Sequence, residues 1–245
     1  MTARPLEGKT ALVTGGSRGV GAGIVARLAA DGAKVAFTYA SSKDRAEAVA
    51  AAAGGDAHAI HADSRHEQDV VSAVAQAADR FGGLDILVNN AGVGSFATIT
   101  DLTMDEIDAM LTINVRSAIV AIRESLAHLG EGGRIINIGS INADRMPFPG
   151  GSIYAMTKGA LASLTRGLAR ELAPRGITIT NIQPGPVDTD ANPADGPAAS
   201  NMLAAMATDR FGTAAEVGAF VSYLAGPDAA FITGSSLDID GGFGV

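Results

Sequence analysis

The chain has 245 residues, a formal net charge of −8 and no cysteine. The acidic balance argues against a nucleic-acid polymer as partner, and the lack of thiols excludes disulfides and thiolate metal sites. Hydrophobic residues make up 47% and charged residues 18%, which supports a sizeable core and excludes a disordered chain.

A short apolar run at 10–14 reads as a buried strand, and the glycine-rich stretch from Gly15 to Gly21 follows it. A helix is expected over 20–30, stopped by Asp31 and Gly32. The next strand covers 34–39 and the next helix 44–53. A third strand at 57–61 precedes a helix over 67–81. The fourth strand, 85–88, ends at Asn89-Asn90-Ala91-Gly92. Helical periodicity then runs over 104–129, followed by a strand at 134–138 and a loop holding Pro147 and Pro149. A helix over 153–172, a strand at 177–182 and a seventh strand at 236–239 complete the series. No apolar run approaches the length of a membrane-spanning helix. The opening residues MTARPLEGK lack the apolar core of a signal peptide. Together with the missing cysteines this points to a cytoplasmic protein.

Strands alternating with helices predict an α/β fold: one doubly wound parallel sheet of about seven strands, Rossmann-like, with helices on both faces. No linker or composition break divides the chain, so residues 1–245 read as one domain. The exception to the rhythm is an irregular stretch over 184–199, rich in Pro, Gly, Asp and Asn. In such sheets ligands bind beyond the carboxyl ends of the strands. The Gly15 turn, the Asn-Asn-Ala-Gly turn, Ser140 and the loop after Pro184 all follow strands and should gather there.

Tyr154 and Lys158 are four residues apart, so on a helix they share one face. An ammonium beside a phenol favours the phenolate and should lower the tyrosine pKa from about 10, making it a general acid or base near neutrality. Ser140 can hydrogen-bond the same reacting oxygen. The turn Thr14-Gly15-Gly16-Ser17-Arg18-Gly19-Val20-Gly21 admits two readings, a phosphate cradle at a helix N-terminus or tight helix-on-strand packing. Its spacing is neither GxGxxG nor a Walker loop. His58 and His61 sit three apart on a strand and face opposite sides, so no metal site is expected.

The ordered set TGxxxGxG from Thr14, NNAG at 89–92, Asn114, Ser140, YxxxK at 154–158, Pro184-Gly185 and the tail Asp240-Gly241-Gly242 resembles the short-chain dehydrogenase/reductase family. The likeness spans essentially the whole chain and is nearest the shorter type that includes 3-oxoacyl-[acyl-carrier-protein] reductases. It implies hydride transfer between a nicotinamide cofactor and a small-molecule carbonyl or alcohol. It also implies roles. Tyr154 would donate or accept the proton, Lys158 would bind the nicotinamide ribose, Ser140 would hold the substrate oxygen, and Asn114 would anchor a relay water or merely stabilise its helix. Cofactor positions carried over by motif are Gly15, Ser17, Arg18, Gly19, Val20 and Gly21 in the first turn. They continue with Tyr39, Ser41 and Ser42 after the second strand, Asp63 and Ser64 after the third, and Asn90, Ala91 and Gly92 after the fourth. Tyr154, Lys158, Pro184, Gly185, Val187 and Thr189 complete them. Asp63 would meet the adenine and Thr189 the nicotinamide amide. Family members of this length usually form homotetramers through their long helices.

The segments IGSINADRMPFPGG and QPGPVDTDANPADGP resemble a bacterial subgroup that includes a cyclic-di-GMP-binding biofilm-dispersal protein. A nucleotide-binding regulator is therefore the alternative function, with Arg145 as the basic residue to meet such a ligand or simply a solvated loop charge. Phe96, Met146 and Phe148 are candidates for an apolar substrate wall. The second strand ends Tyr39-Ala40-Ser41-Ser42-Lys43 with no carboxylate for a ribose 2′-hydroxyl. Arg18, the two serines and Lys43 suit a 2′-phosphate, so the expected cofactor is NADP(H).

Overall fold

The structure, a computed structural model, describes residues 4–54 and 56–245. Its strands are β1 (Thr10–Val13), β2 (Lys34–Tyr39), β3 (His58–His61), β4 (Leu84–Asn89), β5 (Leu129–Ile138), β6 (Thr178–Pro184), β7 (Val187–Asp188), β8 (Gly212–Thr213) and β9 (Ser236–Ile239). Seven of them form one parallel sheet in the order β3-β2-β1-β4-β5-β6-β9, and β7 pairs with β8 apart from it. The order runs outward in both directions from β1 and β4. That junction is the switch point at which an open α/β sheet leaves a crevice.

The helices are α1 (Gly19–Ala30), α2 (Lys43–Ala53), α3 (Glu67–Phe81), α4 (Met104–Leu111), α5 (Ser117–Ser125), α6 (Ser152–Leu172), α7 (Ala199–Ala204) and α8 (Ala214–Ala225). Successive strand residues feed opposite cores, as a two-residue repeat demands. Ala11 and Val13 of β1 pack with Ile24, Leu28 and Val217 of α1 and α8, whereas Leu12 packs with Val74 and Ile122 of α3 and α5. A strand buried on both sides reads as an unbroken apolar run, which is why TALV is apolar throughout its centre.

The expected helix over 104–129 is broken differently. α4 passes into a π-helical turn, Thr112–Arg116, then into α5, and the chain turns over 126–128 to begin β5 at Leu129. The widened turn holds buried Asn114, whose side chain is bonded outside the helix (below), and π-bulges commonly sit at functional sites. α7, α8, β7 and β8 lie beyond the expected elements. α8 starts at a reciprocal capping box in which Thr213 and Glu216 satisfy each other's backbone N–H groups. It lies in backbone contact with α1: a Cβ on Gly23 would fall 2.4 Å from the Ala214 carbonyl oxygen, and one on Gly218 2.6 Å from the Gly23 oxygen.

One row of the sheet is polar. Asn89, Asn137, Asn181 and Ser236 are register partners on β4, β5, β6 and β9. Asn89 Nδ2 donates to Asn137 Oδ1 at 2.8 Å, and Asn137 Nδ2 donates to Thr165 Oγ1 at 3.0 Å. Thr165 is on α6, so this buried row fastens that helix to the sheet two turns beyond Lys158. The row is not fully paired, since among the described residues the buried Asn89 Oδ1 and Asn181 Oδ1 have no hydrogen-bond partner, and the fastening rests on the Asn89–Asn137–Thr165 bonds.

Candidate active site

The four strand-end segments do gather at one edge. β1 gives way to the glycine turn, where Thr38 of β2 accepts from Gly15 N–H through its hydroxyl (2.9 Å) and from Gly16 N–H through its carbonyl (2.9 Å). Asn90 Nδ2 donates to the carbonyl oxygens of Thr14 and Gly15, both at 2.9 Å, which locks the turn to the end of β4. Thr14 Oγ1 completes the junction by accepting from Asn90 and Ala91 N–H. Gly21 has no room for any side chain: a Cβ there would stand 2.2 Å from the Gly15 carbonyl oxygen and 2.5 Å from Asn90 Nδ2. The turn thereby brings its backbone to the N-terminus of α1, where free N–H groups and the helix dipole favour an anion.

This turn forms one wall of a cleft of about 320 Å³. Gly15, Ser17, Arg18, Gly19, Val20, Gly21, Ser41, Ser42, Asp63, Ser64, Asn90, Ala91, Gly92 and Thr189 line it, all of them expected cofactor positions. Thr38, Ala40, Ala62, Val93, Ile113, Asp190 and Ala191 also line it and were not expected. Six expected positions are outside the lining: Tyr154 and Lys158, described below, and Tyr39, Pro184, Gly185 and Val187. Tyr39 packs edge-on against His61 with ring centres 5.4 Å apart. Pro184 ends β6 in register with Ile239, Gly185 donates to the Ile239 carbonyl at 3.1 Å, and Val187 is buried in the α1-side core.

The charges of the cleft are arranged in pairs. Asp63 is held by Arg65 at 2.5 Å, and this hydrogen-bonded guanidinium keeps its carboxyl below the ordinary carboxylate pKa. Asp63 is thus engaged by its own neighbour. Asp190 is held by Arg45 of α2 at 2.6 Å. Lys43 faces Glu47 at 3.6 Å. Arg18 is exposed and has no carboxylate partner among the described residues. Among those residues no group of three His, Asp or Glu side chains is placed to hold a metal ion.

Beyond Gly92 and Val93 lies the cluster on α6. Lys158 is buried, and its Nζ donates to the Ile138 carbonyl oxygen at 2.9 Å. It stands close behind the cleft wall, where a Cβ on Gly92 would come within 3.3 Å of it. Asn114, also buried, donates from Nδ2 to the Val93 carbonyl (2.9 Å) and to Thr157 Oγ1 (3.0 Å), and its Oδ1 accepts from Val93 N–H (2.8 Å). Thr157 in turn donates to the Tyr154 carbonyl oxygen at 2.8 Å. Asn114 therefore joins the π turn, the segment after β4 and the helix that carries Tyr154.

The expected lowering of the Tyr154 pKa does not occur in this arrangement. Burial pushes the phenol up, with the Ser140 hydroxyl beside it pulling the other way. The Lys158 ammonium is 5.8 Å from the ring centre and is itself lowered to about 8 by burial. Phe96, 62% exposed, packs against the Tyr154 ring with ring centres 5.3 Å apart. Phe148 packs towards Phe243, with ring centres 6.5 Å apart. Arg145 is not a free loop charge: its guanidinium donates through Nη1 to the backbone oxygens of Phe243 and Val245.

Comparison with known proteins places these features among relatives. The family described as Enoyl-(Acyl carrier protein) reductase matches residues 15–244. The cyclic-di-GMP-binding biofilm dispersal mediator protein of Escherichia coli K12 is 49% identical over 97% of this chain and 98% of its own. A short-chain dehydrogenase/reductase from Serratia marcescens superposes with a TM-score of 0.97 at 56% identity, covering 98% of this chain and all of that one. A short-chain dehydrogenase from Burkholderia cenocepacia, solved in complex with NADP, matches with the same TM-score and coverage at 52% identity.

Proposed function

This chain belongs to the short-chain dehydrogenase/reductase family, and we propose that it is an NADP(H)-dependent oxidoreductase interconverting a carbonyl and a secondary alcohol with Tyr154 as acid and base. The observation that carries the reading is one junction. Lys158 and Asn114 stand close behind the Gly92 wall of a cleft whose glycine turn admits no side chain at Gly21, and Tyr154 and Ser140 are joined to them.

The chain suits such a cofactor on its own geometry. The Gly15–Gly21 turn and the α1 N-terminus accept a pyrophosphate. Arg18, Ser41 and Ser42, which line the same cleft, would hold a 2′-phosphate, and no carboxylate ends β2 to repel it. Bound NADPH supplies the hydride. Tyr154, held as a phenol by its burial, donates the proton to the carbonyl oxygen, and Ser140 holds that oxygen. Lys158, anchored on the Ile138 carbonyl, would bind the ribose, and the phenolate left on Tyr154 would regain its proton from solvent. Asn114 fixes Val93 and Thr157 so that α6 and the cleft wall keep one spacing. Oxidation runs the same steps backwards.

The test is direct. Fluorescence titration should show NADPH binding tighter than NADH, and a screen of carbonyls at the NADPH absorbance should find turnover that Tyr154→Phe abolishes. Binding of neither cofactor would refute the reading.

The Escherichia coli relative favours a second reading, a cyclic-di-GMP-binding regulator on the same fold. Against it stand the intact Tyr154–Lys158–Ser140 set and the commitment of Arg145 to the backbone at Phe243 and Val245. Calorimetry with cyclic-di-GMP, with and without NADPH, separates the two: competitive micromolar binding supports the regulator.

Assembly and place complete the proposal. No described helix is long and apolar enough to cross a membrane, and the cytoplasm is the proposed location, which cell fractionation checks. Met104, Leu111, Ile119 and Met156 are large, apolar and exposed on α4, α5 and α6, the helices through which the family assembles. A two-fold symmetric homotetramer covers them. Light scattering that returns a single-chain mass would refute it.

A further inference from the structure

The cleft lining contains two carboxylates, Asp63 and Asp190, and one guanidinium, Arg18. That is a poor balance for a ligand with a pyrophosphate and a further phosphate. Each carboxylate is covered by an arginine outside the lining, Asp63 by Arg65 and Asp190 by Arg45. The two pairs differ in kind. Asp63 and Arg65 are two residues apart and joined by several hydrogen bonds, including one to the Arg65 backbone N–H, so they form a local unit.

Arg45 and Asp190 are 145 residues apart and share a single hydrogen bond of 2.6 Å. Arg45 belongs to the first turn of α2, three residues after Ser42 in the cleft wall. Asp190 is the tip of a tight turn in which Thr189 and Asn192 exchange both backbone hydrogen bonds. The same turn abuts the opposite wall, where a Cβ on Gly19 would stand 3.4 Å from Thr189 Cγ2. The Thr189–Asn192 turn thus forms a lip across the cleft, and its one charged tie to α2 is an ion pair with both side chains more than half exposed. Exposed pairs of this type are weak and easily exchanged. A phosphate dianion is a stronger partner for a guanidinium than a single carboxylate.

Taking the cofactor reading above as its premise, we propose that Arg45 is a specificity-determining residue that Asp190 holds in the free protein and that passes to the 2′-phosphate of NADPH on binding. Asp190 is then a competitor for Arg45 as well as a negative charge at the lip. An NADH molecule has no group to draw Arg45 away and leaves the pair intact.

The experiment measures Kd for NADPH and NADH by fluorescence titration on wild type, Arg45→Gln, Asp190→Asn and the double variant, with no substrate present. Both side chains are exposed, so all four proteins should fold. Arg45→Gln is expected to weaken NADPH about 10-fold and NADH less than 2-fold. Asp190→Asn is expected to tighten NADPH about 3-fold. In the Arg45→Gln background the same substitution should lose most of that gain, because there is no guanidinium left to release. Unchanged or weaker NADPH binding in Asp190→Asn overturns the proposal. So does an Arg45→Gln effect equal for both cofactors, or full additivity in the double variant. If wild type binds neither cofactor, the functional reading itself fails, an outcome distinct from these three.

Discussion

Lys158 donates its ammonium to the Ile138 carbonyl oxygen at 2.9 Å, the last residue of β5 and two before Ser140. The lysine is therefore anchored by the strand end and not by the phenol of Tyr154. Its burial lowers its pKa from the ordinary 10.5 to about 8. The unfolded chain holds this proton up to about pH 10.5 and the folded chain only to about 8, so between those values the unfolded state binds more protons. Stability contributed through Lys158 consequently rises with pH across 8–10.5 and is penalised in full below 8. Lys158→Met should remove that slope, which is worth roughly 3 kcal/mol at most. Denaturant melts of the cofactor-free proteins from pH 7 to 10.5 check it, and parallel curves for variant and wild type would count against it.

Tyr154→Phe deletes one oxygen at a half-buried position whose ring contacts, Phe96 among them, remain. The fold and the Kd for NADPH should change little, within about 2-fold, while turnover falls by about 10²–10⁴-fold or more. Near-normal activity in the variant would remove Tyr154 from the acid–base role.

Gly21→Ala places a methyl carbon against the Gly15 carbonyl and the Asn90 amide, both parts of the locked turn. Neither is the free end of a flexible chain, so the turn must move. Cofactor affinity should fall at least 10-fold, with some loss of stability, because the site is over-packed. Gly54→Ala, at an open helix end with nothing within 4 Å of a new Cβ, serves as the contrast. Its φ of 67° brings local strain, but it should leave cofactor affinity unchanged in the same titration.

The inner strands such as β1 were legible because a parallel strand covered on both faces is largely apolar, the edge strands β3 (HAIH) and β9 (SLDI) by their place in the strand–helix alternation, and the site because its turns follow those strands. α8 was missed although Thr213-Ala-Ala-Glu216 is a capping-box signature. Its Ala- and Gly-rich sequence lacks strong amphipathic contrast because it packs backbone to backbone on α1. The π turn at Asn114 was hidden for another reason. One extra residue in a turn barely disturbs the period of the flanking helices, and its cause is a set of bonds to Val93 and Thr157. Spacing placed Tyr154 and Lys158 on one helix face, but the oxygen that takes the ammonium belongs to β5. Arg145 shows the same limit: its partners lie 98 and 100 residues along the chain.

Cofactor choice offers the sharpest single substitution. Arg18 precedes α1 as its N-cap, is exposed, and has no carboxylate partner among the described residues. It lines the cleft with Ser41 and Ser42, while β2 ends in Tyr39 with no acidic side chain to receive a ribose hydroxyl. A guanidinium there has one task that distinguishes the cofactors, since only NADPH carries the 2′-phosphate. Charge-assisted contacts to phosphate are strong ones. Arg18→Ala should therefore weaken NADPH by about 10- to 100-fold and NADH by less than about 3-fold, on the scale of hydrogen bonds to charged groups. Arg18→Lys should recover part of the loss, because it restores charge without the planar fork. Fluorescence titration of both cofactors on the three proteins decides it. Equal weakening of NADPH and NADH would assign Arg18 to the pyrophosphate and leave the 2′-phosphate to Ser41, Ser42 and Arg45.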